Sequence, residues 1–141
     1  MTAKEFLRRA REVDRRVDEA QERVERIRAK LEAGRMNRLT GMPRGGSGDW
    51  TQTADRLIEL EQRVNAQTRE LVRWKLAAMD AIGMIDKARE REVLELYYID
   101  GFTWEQVAER MEVEPRTVYR LHGRALLKVI VPDLEKLGIC H

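Results

Sequence analysis

Between residues 89 and 128 the apolar side chains fall into three short helical periods separated by two breaks, and this order constrains the fold more than any other feature of the chain. Val93, Leu94, Leu96 and Tyr97 form the first apolar face, which stops at Asp100-Gly101. The second period opens at Thr103, an N-cap residue type, with Gln106 three residues on as its capping-box partner. Its inward face is Trp104, Val107, Ala108 and Met111. After Glu112-Val113-Glu114, a third helix begins at Pro115, whose missing N–H is no loss in a first turn. Its apolar positions are Val118, Leu121, Ala125, Leu126 and Val129. Neighbouring Tyr97 and Tyr98 cannot both face one core, which places Tyr98 at the surface. Trp104 is expected as a wedge between helices.

A turn of three to four residues brings the second and third helices across each other closely, as in a helix-turn-helix. Ala108 supplies the small residue at the crossing, and Val107, Met111, Val113, Val118 and Leu121 lock the pair. In such a module the second helix of the pair enters the DNA major groove, N-terminal end first. Arg116, Tyr119 and Arg120 are therefore the candidates for base edges, with Thr117 on the same outward, DNA-binding face and His122, Arg124 and Lys128 further along. Residues 87–128 carry eight basic and eight acidic side chains, but residues 115–128 hold four of the bases and no acid, so the charge is polarised onto the reading helix. With three to four phosphate contacts per protomer, the expected salt slope is about −3 and the affinity modest.

The run EREVLELYYIDGFTWEQVAERMEVEPRTVYRLHGRAL resembles region 4 of the sigma-70 factors of bacterial RNA polymerase, and closely its form in extracytoplasmic-function sigma factors. The resemblance rests on Tyr98-Ile99-Asp100-Gly101-Phe102-Thr103, on Val107-Ala108, and on Thr117-Val118, Leu121-His122 and Arg124-Ala125. It covers about residues 87–130 and implies double-stranded DNA and RNA polymerase as partners. Two positions depart from the pattern. Glu112 stands at the usual turn glycine, so a residue with a Cβ must take a costly left-handed conformation or the turn must be re-angled, and a slightly altered turn is expected. Glu114 replaces the common serine and reads as a helix-start charge. The whole chain, with its segment GMPRGGSGD and its ending TVYRLHGRAL, is similar to small phage or prophage sigma-like late-gene regulators of Gram-positive bacteria.

The N-terminal half has a different pattern. Phe6, Ala10, Val13, Val17, Ala20, Val24, Ile27 and Leu31 recur at steps of four and three, and so do Leu57, Leu60, Val64, Leu71, Trp74, Ala78, Ala81 and Ile85, with Gln67 the one polar residue on the second seam. Charged residues fill the positions between. Residues 34–49 hold five of the nine glycines and Pro43, which predicts a turn between two helices of about 30 residues. The fold class is therefore all-α: an antiparallel, coiled-coil-like helical hairpin over residues 1–86 with a Gly-rich loop at about 34–50, a helix-turn-helix over 87–131, and a tail over 132–141. Narrow seams bury little alone, so a homo-oligomer, a dimer foremost, is expected. Trp74 reads as core. Trp50 reads as a hydrophobic staple or a partner contact, and the arginines of the loop as linker residues or phosphate contacts.

No constellation for catalysis stands out. Cys140 is the only cysteine, His141 is terminal, and the carboxylates lie among arginines on solvated faces, so neither an enzyme, a metal site nor a cofactor is expected. With no apolar run of 18 residues and no signal-peptide pattern, a cytoplasmic protein without membrane contact is expected. The reading is a sequence-specific DNA-binding transcription regulator without a promoter-melting region. The alternatives are a small-terminase-like DNA-packaging protein of phage, in which the helices build a ring, and a protein-only adapter that binds RNA polymerase.

Overall fold

The computed structural model describes residues 1–39 and 47–139. It is helical throughout: α1 (Ala3–Leu39), α2 (Ser47–Gly83), α3 (Ala88–Leu94), α4 (Trp104–Met111) and α5 (Pro115–Lys128), with one π-helical turn, Glu95–Ile99, continuing α3. The described residues contain no strand. The two long helices have 37 residues each, more than the spacing of the glycines suggested. α1 runs through Gly34, since a single glycine costs a long helix only about 1 kcal/mol. The expected loop thus shrinks at both ends, and the rest of it falls on residues 40–46, outside the described residues.

The chain divides into two compact units that do not follow chain order: Arg15–Arg69, and Met1–Asp14 together with Glu70–His141. In the first, numbers rise along α1 as they fall along α2. Ala20 and Val24 pack with Val64, Arg28 pairs with Glu61 at 3.0 Å, and Gly34 meets Trp50, so the helices are antiparallel. Ala20, Val24, Ile27 and Val64 of the predicted seams are buried, whereas Leu60 is exposed and Gln67 lines a shallow groove with Arg23, Arg26 and Lys30. A Cβ on Gly34 would overlap the indole of Trp50. Close approach of that ring explains the glycine inside the helix and makes Trp50 a packing residue.

In the second unit a capping box opens α1: Thr2 N–H donates to Glu5, and Glu5 N–H to Thr2 Oγ1. Phe6, Leu7, Ala10 and Val13 are buried, as are Trp74, Ala78 and Ile82 of α2 and Ile85 just after it. Trp74 Nε1 donates to the carbonyl of Phe6 at 3.0 Å, and Lys75 pairs with Asp14 at 2.6 Å. The residues after α5 also contribute to the core, through buried Leu134 and Ile139.

The π-helical turn settles the arrangement of the two tyrosines. Asp100 N–H donates to the carbonyl of Glu95, five residues back, at 2.9 Å. An extra residue in the turn moves the apolar side by one position, so Tyr98, five residues after buried Val93, points inward. Tyr98 is only 1% exposed, contrary to the surface position expected from a regular helix, while Tyr97 is half-buried beside it.

Candidate nucleic-acid interface

Each helix of the reading module is started and stopped by an identifiable residue. Gly101, at φ 78°, ends the π turn, with Phe102 N–H reaching back to the carbonyl of Leu96. Thr103 and Gln106 form the predicted capping box at 3.0 and 3.2 Å and fix the start of α4. Glu112 ends α4 at φ 57°, ψ 42°, so the left-handed turn is kept, glutamate included, and not re-angled. Val113 N–H then donates to the carbonyl of Ala108 at 3.0 Å. Glu114 is the N-cap of α5 and Pro115 follows at its first turn. The Glu114 side chain makes no capping hydrogen bond, which leaves its charge near the positive end of the helix as its contribution there.

Val93, Val107, Ala108, Met111 and Val118 form the core of this module, with Leu96, Phe102, Trp104, Val113 and Leu121 packed around them. All but Phe102 are residues that the sequence reading placed in the core. Trp104 stacks on Tyr97 at 3.7 Å between ring centres and meets the rings of His122 and Tyr119 on α5 at 4.7 and 5.6 Å. Arg11, on α1, lies over the other side of the group: its guanidinium is 4.2 Å from the centre of the Tyr97 ring, and its Nε donates to the Tyr97 carbonyl at 3.1 Å. Its terminal nitrogen reaches the carbonyls of Phe102 and Gly101 at 3.4 and 3.5 Å. Those carbonyls lie past the end of a helix and lack helical partners, and a cation suits them. Nothing in the local pattern of residues 87–130 signals this contact.

The seven predicted contact residues separate into two groups. Arg116, Tyr119, Arg120 and Arg124 are exposed and Thr117 is half-buried. The three arginines recur every four residues along α5, so they form one stripe, and among the described residues none of them has an ion-pair partner. His122 and Lys128 face elsewhere. His122 Nε2 lies 2.7 Å from the Tyr98 hydroxyl, within the aromatic group. Burial, with the charge of Lys4 adding to it, pushes the imidazole pKa down to about 4, and burial likewise pushes the Tyr98 phenol up to about 12. Both groups are neutral at pH 7, and His122 is a packing residue that offers phosphate no charge. Lys128 Nζ lies 2.6 Å from Glu90 Oε2 and 3.5 Å from Asp86 Oδ1. The hydrogen bond to Glu90 raises the ammonium pKa, and the charge of Lys128 holds the Asp86 carboxyl below its ordinary range.

Glu90 is the buried partner in that group, 2% exposed, an exception to the solvated carboxylates expected from the sequence. Lys128 pairs with it, so the last base of α5 holds that helix to α3. Among the described residues no group of histidine, cysteine and carboxylate side chains could hold a metal ion, and no helix is long and apolar enough to cross a membrane. Cys140 and His141 lie outside the described residues.

Residues 87–129 match the family model of sigma-70, region 4. The matched segment begins at the N-cap of α3 and ends at the C-cap of α5, so it coincides with the reading module. The module is thus similar to a DNA-binding helix-turn-helix domain of transcription. No curated protein and no solved structure matches the chain.

Proposed function

We propose that the protein is a sequence-specific DNA-binding transcription regulator that inserts the N-terminal half of α5 into the major groove of duplex DNA. The observation that carries this reading is the stripe of Arg116, Arg120 and Arg124, exposed and unpaired on the outer helix of a helix-turn-helix. Arg116 and Arg120 are placed for base edges, with Thr117 and Tyr119 beside them, and Arg124 for a phosphate. The hairpin of α1 and α2 serves oligomerisation or a partner, a role that half-exposed Ile58 and Leu60 support. A dimer would add the binding free energy of a second module at a second half-site and so multiply a modest single-module affinity. A phage or prophage source and the absence of a catalytic role complete the reading, and both rest on the sequence.

Selection of bound sequences from a random duplex library at two salt concentrations tests it. An enriched motif for the wild type, lost in Arg116→Ala/Arg120→Ala, is the expected result. No enrichment for either protein would end the reading. A protein contact on the same module has its own support, because Leu127 and Ile130 at the end of α5 are 89% and 79% exposed. RNA polymerase is the partner implied by the resemblance to region 4. Leu127→Asp/Ile130→Asp should weaken capture of purified polymerase core and leave the selected motif intact.

A further inference from the structure

We propose that the first turns of α1 form a second DNA contact, in which Lys4 and Arg8 clamp the phosphate backbone beside the groove that α5 enters. The inference rests on the reading of α5 as a DNA-binding helix and extends it to residues outside the matched segment.

The placement follows from Arg11. Positions 4, 8 and 11 share one face of α1 by helical spacing. Arg11 is fixed against the module by its hydrogen bonds to the Tyr97 and Phe102 carbonyls and by its position over the Tyr97 ring. From that ring the contacts run outward without interruption, Tyr97 on Trp104 and Trp104 on Tyr119 and His122 of α5. Lys4 and Arg8 are therefore on the side of α1 that adjoins the reading helix. The electrostatics agree, since the charge of Lys4 acts on His122 and that of Arg8 on Tyr98. Both side chains are exposed, and among the described residues neither has an ion-pair partner, whereas Arg9 is turned onto the Trp74 ring at 5.2 Å. The Thr2–Glu5 capping box holds the helical turn that carries Lys4.

The occupant is polyanionic backbone and not base edges, because long cations on a neighbouring helix carry no donor pattern that distinguishes base pairs. The charge also fills a deficit. His122 is neutral and Lys128 is held by Glu90, which leaves α5 three free cations where the sequence offered more. At about 0.9 counterions released per phosphate contact, Arg124 alone gives a salt slope of about −0.9, and Arg124 with Lys4 and Arg8 gives about −2.7.

The test measures affinity of the full chain for its selected duplex from 50 to 200 mM salt. The wild type should lose about 40-fold over that range, and Lys4→Ala/Arg8→Ala only about 3- to 4-fold, with the selected motif unchanged. The charge-conserving variant Lys4→Arg/Arg8→Lys should restore the wild-type slope, which a purely structural role would not require. A wild-type slope in the alanine variant overturns the proposal. So does an equal flattening in the charge-matched control Lys30→Ala/Arg63→Ala, which would mean a general charge effect. If Arg116→Ala/Arg120→Ala abolishes the motif while Lys4→Ala/Arg8→Ala behaves as wild type, α5 reads DNA alone. If the wild type binds no duplex, both readings fall together.

Discussion

His122 couples the stability of the reading module to pH. Its folded-state pKa of about 4 lies below the ordinary 6.5, so as pH falls the unfolded chain takes up the proton first. Stability is complete above about pH 6.5 and is lost as pH falls from there toward 4. Burial disfavours the charged ring, and the positive charge of Lys4 adds to the cost. Allowing for the part of the ring that still meets water, the loss should be on the order of 1–2 kcal/mol. Urea unfolding of the wild type and His122→Gln at pH 6.5 and 5 checks it: the variant should lose less stability over that interval, and parallel losses would remove His122 from the account. The sequence placed His122 on the outward face because its neighbours on α5 lie there. What turned it inward was Tyr98, and that tyrosine faces the core only because one π turn precedes it.

Among the elements, the turn between α4 and α5 stores the most evident strain. Glu112 pays for a conformation that glycine adopts freely, so Glu112→Gly should stabilise the protein by about 0.5–1 kcal/mol in thermal unfolding. An unchanged or lower midpoint would show that the glutamate makes a compensating contact. One residue later but one, Glu114→Ser would supply the missing cap of α5, at about 1 kcal/mol, and remove an acid from the end of the helix that approaches DNA. Higher thermal stability and tighter duplex binding are expected together, and tighter binding alone would mean that the serine does not cap. The three helices, the Thr103–Gln106 box, Pro115 and the buried positions of α4 and α5 were all legible, because each depends on residues within a turn or two of one another. The seams of α1 and α2 were legible for the same reason, Leu60 excepted. Glu112 left two geometries open, since composition gives the cost of a left-handed residue and not whether the surrounding packing outweighs it. The capture of Lys128 by Glu90 was hidden, because the helical period assigns a face to a lysine and not a partner on another helix.

For the whole molecule, the division into units overrides the boundary that the sequence suggested at residue 86. The first fourteen residues belong with the helix-turn-helix, and Arg11 touches backbone 86 to 91 residues away. Arg11→Ala should therefore lower the stability of the reading module by about 1–2 kcal/mol, through three hydrogen bonds, two of them long, and a cation–π contact, although it lies outside the matched segment. Chemical denaturation followed by the fluorescence of Trp104 measures it, and a loss confined to the signal of Trp74 would argue against the coupling. Such wiring also governs how the protein is made. Phe6, Leu7 and Ala10 leave the ribosome well before their partners, and Phe6 does not meet its hydrogen-bond partner Trp74 until 68 further residues have followed. At about 5–20 residues per second that interval is several seconds, during which the start of α1 presents an apolar stripe that α2 does not yet cover. The order of synthesis thus leaves this segment waiting on the far end of α2 before it can take its place.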